Sequence, residues 1–376
     1  MKIALLGAGH IGQAIARLLV DSGYYEVTVV DQAASTLAQF ANDKVRVAIA
    51  DANSESALLT VLHEQDVVIN ALPYSLAVSV AARAREAGCH YFDLTEDVAA
   101  TRAIRSIAQN ACTVFMPQCG LAPGFIGIAA HHLLQSFDQV NELKLRVGAL
   151  PVFTTNALKY NLTWSIDGLI NEYCRPCEAI HEGTVRDMLP LEGLEQLVLD
   201  GVDYEAFNTS GGLGTLCETL AGRVRHLNYK TIRYPGHRDL MRFLLEDLQL
   251  KSDQEALKSI LLRAIPTTAQ DVVIVFILAS GMKNGVFVQE VFMRKIFAET
   301  GRPNPLSAIQ ITTASGVCAA VDLLREGRLP LRGFVRQEQI DLPSLLANRF
   351  GAAYRLPKEP HKSNITFSLA VSEHTA

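Results

Sequence analysis

The chain lacks the marks of a membrane protein, a nucleic-acid binder or a disulfide-built domain. Its longest apolar run outside the N-terminal segment, Val272 to Ala279, is too short to span a bilayer. Basic residues (34) do not outnumber acidic ones (39), so a net charge of −5 gives no reason to expect nucleic acid or an anionic membrane as partner. Seven cysteines are an odd number without dense spacing, which points to reduced thiols. Cys174 and Cys177 form a C-x-x-C interrupted by Pro176, with no second pair at zinc-site spacing. His131 and His132 are adjacent on an expected helix, where side chains diverge by about 100°. No metal is expected. Aromatic residues are sparse (7%), with Trp164 the single tryptophan, and there is no internal repeat or low-complexity tract. What remains is a chain of 376 residues, 49% hydrophobic, with core enough for two domains. It is expected in the cytoplasm. Lys2 and the apolar residues after it read as a first strand, not as a secretory signal.

Residues 3–31 carry the strongest local signal. Ile3 to Leu6 read as a strand buried on both faces, and Gly7, Gly9 and Gly12 follow at G-x-G-x-x-G spacing. The first glycine permits a tight turn and the second lets backbone approach a pyrophosphate. The third lets the next helix pack on the strand. His10 and Ile11 open that helix, whose free N–H groups face the phosphates. Asp31 closes the second strand, Val27 to Val30, where a carboxylate binds both ribose hydroxyls and repels a 2′-phosphate. Gln32 stands beside it. The expected cofactor is NAD; a neighbouring arginine can rescue 2′-phosphate binding, so NADP stays open.

Strand–helix alternation continues. Strands are expected at Val45–Ala50, Asp66–Asn70, His90–Leu94 and Thr113–Met116, separated by helices near 54–63, 76–87 and 99–109. This is a Rossmann-type α/β fold, a doubly wound parallel sheet over residues 1–125. Its ligand edge holds Asp31, Asp51 near the adenine, Ala71, Leu72 and Pro73 near the nicotinamide ribose, then Tyr74, Thr95 and Cys119. From about Val140 the pattern changes. Strands at Leu143–Val147, Ala206–Thr209 and Tyr229–Arg233 precede the pair Val272–Ala279 and Val286–Met293, joined by an Asn-Gly hairpin signal. They suggest an α+β domain over 126–306, lying over the sheet's ligand edge. Residues 307–326 read as a helix that begins a C-terminal segment, 307–376. Its end, from about Lys358, is polar and expected to be loose.

The segments Tyr-Asn-Leu-Thr-Trp-Ser (160–165), Gly-Leu-Ile-Asn-Glu-Tyr (168–173), Ala-Phe-Asn-Thr-Ser-Gly-Gly (206–212) and Tyr-Lys-Thr-Ile-Arg-Tyr-Pro-Gly-His (229–237) resemble the saccharopine dehydrogenase-like family. Within it they look most like the L-lysine 6-dehydrogenase branch. The likeness extends through Asn-Ala-Leu-Pro-Tyr (70–74), Gly-Leu-Ala-Pro-Gly (120–124) and Arg-Gly-Phe (332–334), nearly the whole chain. The resemblance implies that 126–306 is an inserted α+β substrate and dimerisation domain and that the segment 307–376 returns to the Rossmann domain. It also implies homodimers or larger assemblies, and NAD-linked oxidation of the lysine ε-carbon. Two departures bear on substrate. Ala122 stands where saccharopine reductases tend to carry Asp, and Asp-Leu-Thr-Glu (93–96) replaces the Asp-Leu-Gly-Gly common in lysine 6-dehydrogenases. Secondary-amine substrates, saccharopine or carboxynorspermidine, therefore stay open, as does a non-catalytic NAD-binding role.

Hydride leaves an amine-bearing carbon only when the amine is neutral, so a proton acceptor is needed. Glu96 and Asp93 are the candidates after the fifth strand; either could instead order the loop. Tyr74 is a donor or a packing residue. Cys119 is a small polarizable neighbour of the ring or a buried inert thiol. Arg233 suits a substrate carboxylate. His237 is a second proton-transfer group or a core hydrogen-bonder. Tyr160 and Trp164 would wall an aliphatic chain, and Thr209, Ser210 and Gly211 offer hydroxyls and free N–H groups.

Overall fold

A computed structural model describes residues 1–40 and 44–356. They divide into two compact units. The first comprises Met1–His132, Gly214–Leu216 and Gln310–Tyr354; the second is built from Leu133–Leu213 and Cys217–Ile309. Sequence patterning draws these borders at 125/126 and 306/307 and does not anticipate the short return at Gly214–Leu216. The polar tail expected from Lys358 lies outside the described residues.

In the first unit, β1 (Lys2–Leu6), β2 (Glu26–Asp31), β3 (Arg46–Ile49), β4 (Val67–Asn70), β5 (His90–Asp93) and β6 (Val114–Met116) are all parallel, in the order 6-5-4-1-2-3. A seventh strand, Gly333–Phe334, pairs in parallel with the outer side of β6. The apolar runs of β1 and β4 are fully buried because helices cover both sheet faces. The order reverses between β1 and β4, and their C-terminal loops bound the crevice where such sheets bind ligands. Helix His10–Ser22 buries a stripe of Gly12, Ala14, Ile15, Ala16 and Leu19, and ends at Gly23 in the left-handed region (φ 75°).

The second unit is a mixed sheet of eight strands. It contains β7 (Gln139–Pro151), β8 (Cys177–His181), β9 (Thr184–Met188), β10 (Glu195–Leu199), β11 (Val202–Asn208), β12 (Val224–Arg233), β13 (Asp271–Lys283) and β14 (Val286–Phe297). The main path runs 10-11-12-7-13-14, with β8 pairing β12 and β9. β7 and β12 are parallel; the other pairs are antiparallel. The long run Val272–Ala279 is a central strand between β7 and β14, not a membrane segment, and no helix among the described residues is long and apolar enough to cross a membrane. Asn284 (φ 52°) and Gly285 (φ 75°) turn the β13–β14 hairpin, the left-handed pair this connection requires. Strands β8, β9 and β10 fall where sequence patterning marks none: β9 is exposed along its whole length and lacks the alternation that announces a strand. The strand Gly333–Phe334, β15, is too short to show a pattern.

Candidate functional site

The glycine turn of the first unit has the geometry its spacing implies. Gly7 sits at φ 101°, and a Cβ there would lie 2.8 Å from the carbonyl oxygen of Ala71, so only glycine lets the loops after β1 and β4 meet. A Cβ on Gly12 would lie 2.0 Å from the Gly7 carbonyl oxygen. Gly9 is the opposite case: exposed, with nothing within 4 Å of an added Cβ, it leaves open space beside the helix N-terminus. That is the room a pyrophosphate needs. His10 and Ile11 open the helix, His10 exposed and Ile11 half-buried.

Asp31 ends β2 with Oδ2 accepting from the Ala8 amide and Oδ1 from the Ala33 amide, both at 2.9 Å. Burial opposes its charge, but these amide bonds outweigh it and hold the carboxyl below its ordinary range. Each oxygen keeps a lone pair for a ribose hydroxyl. Gln32 and Asp51 are exposed, and Asp51 accepts from Asn53 at 2.9 Å. Ala71 and Leu72 are half-buried, Pro73 is exposed and Tyr74 begins a short 3-10 turn.

Asp93 behaves as a loop anchor. It is fully buried; Oδ1 accepts from the amides of Thr95 (3.0 Å) and Gln118 (2.8 Å), and Oδ2 from the Tyr91 hydroxyl (2.6 Å). The Asn70 amide group contacts Tyr91 Oη at 3.4 Å while its carbonyl accepts from the Leu72 amide at 3.2 Å. One buried network thus ties the ends of β4, β5 and β6. Burial pushes the Asp93 carboxyl up to about 6, with the bonds from Tyr91, Gln118 and Thr95 pulling back. Cys119 is buried; its thiol donates to the Met116 carbonyl at 3.0 Å and receives the Gln337 amide at 3.1 Å. Burial raises its pKa well above that of an ordinary thiol, so it is inert at neutral pH. Glu96 is half-buried.

In the second unit the family-like segments converge. Helix Ile166–Cys174 packs a buried face, with Tyr160, Phe207 and Leu257, over one side of the sheet. Arg233, at the end of β12, is buried among them. Its Nε donates to Tyr173 Oη (2.9 Å), and Nη1 to Thr231 Oγ1 and the Ile232 carbonyl (both 2.8 Å). Its guanidinium carbon lies 4.9 Å from the Tyr160 ring centre. Nη2 has no hydrogen-bond partner among the described residues. His237 continues the chain of bonds: Nδ1 donates to the Leu158 carbonyl (2.8 Å), leaving Nε2 to accept from the Tyr173 hydroxyl (3.1 Å). Burial, then the Arg233 charge, push its pKa down to about 3, so it is a neutral hydrogen-bonder at working pH. Trp164 is half-buried and donates to Tyr160 Oη at 3.2 Å; Gly168 leaves space for its ring, since a Cβ there would lie 2.3 Å away.

Thr209 and Ser210 are buried after β11, the Ser210 amide donating to the Glu172 carbonyl at 3.0 Å, and Gly211 is left-handed at φ 84°. Asn161 Oδ1, Asn171 Oδ1 and Thr209 Oγ1 are buried without a protein partner, the state of polar groups that await a ligand or water. Asn161, Asn171 and Tyr173 were not singled out from the sequence, although each lies inside a segment carrying the family likeness.

Residues 3–116 match the saccharopine dehydrogenase NADP binding domain, and residues 120–350 match the saccharopine dehydrogenase C-terminal domain. The chain belongs to the saccharopine dehydrogenase family. It is 21% identical over 252 residues to the mitochondrial alpha-aminoadipic semialdehyde synthase of Rattus norvegicus, covering 61% of this chain and 27% of that protein. It is 24% identical over 273 residues to the saccharopine dehydrogenase [NADP(+), L-glutamate-forming] of Saccharomyces cerevisiae, covering 67% and 59%. The match therefore spans about a quarter of the rat protein and under two thirds of the yeast one. The solved apo saccharopine dehydrogenase (L-Glu forming) of Saccharomyces cerevisiae shares the fold at a TM-score of 0.74 and 16% identity, over 92% of this chain and 96% of that one. Homospermidine synthase from Legionella pneumophila, solved with NAD, does so at 0.65 and 13%, over 99% and 95%. Family membership makes the first unit an NAD(P)-binding domain, in keeping with the open cradle at Gly9.

Proposed function

We propose that this member of the saccharopine dehydrogenase family is an NAD-preferring dehydrogenase acting on a C–N bond of an amino acid, with the ε-amine of L-lysine as leading substrate. The observation that carries the substrate class is Arg233: a buried guanidinium, walled by Tyr160 and Tyr173, with Nη2 unbonded. Such a group matches a carboxylate. Asp31 carries the cofactor preference, since a 2′-phosphate would meet its charge and residues 32–35, Gln-Ala-Ala-Ser, supply no basic side chain.

When bound, the nicotinamide accepts the hydride. The protein's part is to deprotonate the amine beforehand and hold the substrate. Glu96 is our base, because Asp93 is committed to the loop network and His237 is neutral and enclosed. The substrate imine then takes up water, giving the semialdehyde and ammonia. Thr209 and Ser210, with Asn161 and Asn171, supply polar contacts for the amino-acid head, and Trp164 a wall for its aliphatic chain. A secondary amine such as saccharopine is the second reading, favoured by the name of the yeast relative. A cytoplasmic setting is in keeping with free cysteines throughout, and exposed Phe153, Phe287 and Phe297 support self-association of the second unit.

The test is reduction of NAD and of NADP at 340 nm, at mildly alkaline pH, with L-lysine, saccharopine and carboxynorspermidine in parallel. Turnover of lysine with NAD supports the leading reading. Turnover confined to a longer secondary amine transfers the proposal to the second, and no turnover of any amine removes both.

A further inference from the structure

We propose that His181, Glu182 and His226, on the second unit, bind one divalent transition-metal ion. The two histidines are far apart in sequence, and the strand register brings them together. β8 pairs β12 antiparallel with Ile180 opposite Leu227, so His181 falls opposite His226. Their rings are 5.1 Å apart at 66°. Glu182 follows at the β8–β9 turn, its Oε1 3.4 Å from His226 Nε2. One ligand atom from each of the three residues lies within 4.8 Å of the other two.

The turn that carries Glu182 is tied down on both sides. The Gly183 amide donates to the Arg225 carbonyl (2.9 Å), and the Gly222 amide to the Gly183 carbonyl (3.1 Å). Glu182 (φ 47°) and Gly183 (φ 74°) are both left-handed, as a two-residue hairpin turn requires. Glutamate is a costly choice at the first of these positions, where Asn or Gly would relieve the backbone. The site faces solvent: His181 and Glu182 are exposed and His226 half-buried.

Two imidazole nitrogens and one carboxylate oxygen form a borderline donor set that suits zinc, nickel or copper and not magnesium or calcium. Ligand bonds of about 2.0–2.2 Å place donors about 3.4 Å apart in a tetrahedron, within reach of side-chain rotation from the present spacing. Water would complete the shell. The competitor is Arg225, whose Nε and Nη2 hold the two Glu182 oxygens at 2.7 and 3.0 Å. Metal binding would displace that ion pair from at least one oxygen.

Isothermal titration of the chelator-stripped full chain with zinc, and with magnesium as control, tests the site. One equivalent of zinc should bind, at least tenfold more weakly in His181→Ala and in His226→Ala, with no magnesium heat. Arg225→Ala should strengthen binding by freeing the carboxylate, an effect that nonspecific surface adsorption would not give. Zinc affinity unchanged in both histidine variants, or no zinc binding by a folded wild-type chain, overturns the proposal.

Discussion

Replacing Asp93 by Asn should stabilise the protein at neutral pH and leave it unchanged in acid. Asp93 is fully buried and titrates near 6 where an ordinary aspartate titrates at 3.8, burial being the larger influence. The folded chain therefore holds this proton to higher pH than the unfolded chain. Between about pH 4 and 6 the native state binds more protons, and stability falls as pH rises. Above about pH 7 the whole cost is present: two pH units correspond to about 3 kcal/mol. Asparagine keeps Oδ1 for the amides of Thr95 and Gln118. Its Nδ2 can donate to Tyr91 Oη, whose proton then turns to the Ala77 carbonyl, 3.2 Å away. The buried charge disappears and the network survives. Urea unfolding followed by far-UV circular dichroism, with Trp164 fluorescence marking the second unit, should show the variant more stable by up to about 3 kcal/mol at pH 7.5. With a urea dependence of about 1–3 kcal/mol per molar, that is a midpoint shift of about 1 M or more. The advantage should vanish by about pH 4. A variant less stable than wild type at pH 7.5, or a difference constant with pH, refutes the reasoning. Turnover should stay within a few-fold of wild type, as befits a positioning residue; a hundredfold loss would make Asp93 the base.

Three further outcomes follow from the same geometry. Asp31→Ser should shift the ratio of kcat/KM for NADP over NAD upward by at least tenfold, and an unchanged ratio would remove Asp31 from cofactor choice. Arg233→Met should raise KM for an amino-acid substrate by about a hundredfold, the loss of charge-assisted bonds worth about 1.5–3 kcal/mol each, with a smaller change in kcat. His237→Gln should lower stability, having lost a buried partner of Tyr173, yet leave the pH dependence of kcat/KM unshifted between pH 6 and 10, because His237 is already neutral throughout that range; a missing inflection in the variant would restore it as a proton-transfer group.

The dinucleotide half was legible because most of its constraints are local. Gly12 and Asp31 answer to steric and charge demands set within the first strand–helix–strand unit, and their spacing states those demands openly; Gly7 also meets the Ala71 carbonyl after β4, a demand that spacing does not show. The hairpin at Asn284–Gly285 is readable for the same reason. Arg233 could be picked out by its family-like surroundings, but its partner Tyr173 depends on how β12 meets helix Ile166–Cys174. Asp93 and His237 show the limit most clearly. Residue type left proton transfer and a structural part open for both, and the burial and committed hydrogen bonds that favour an anchor for one and a neutral bridge for the other come only from the fold. The pairing of His181 with His226 has no trace in spacing at all, because strand register creates it.

The placement of β15 has a consequence for biogenesis. β6 gains its outer neighbour only from Gly333–Phe334, after the entire second unit has been synthesised. A nascent chain emerging N-terminus first must therefore carry an unpaired parallel edge at Val114–Met116 through most of translation. The first unit's sheet gains its last strand late in synthesis, and until then that edge is open to pairing with another chain.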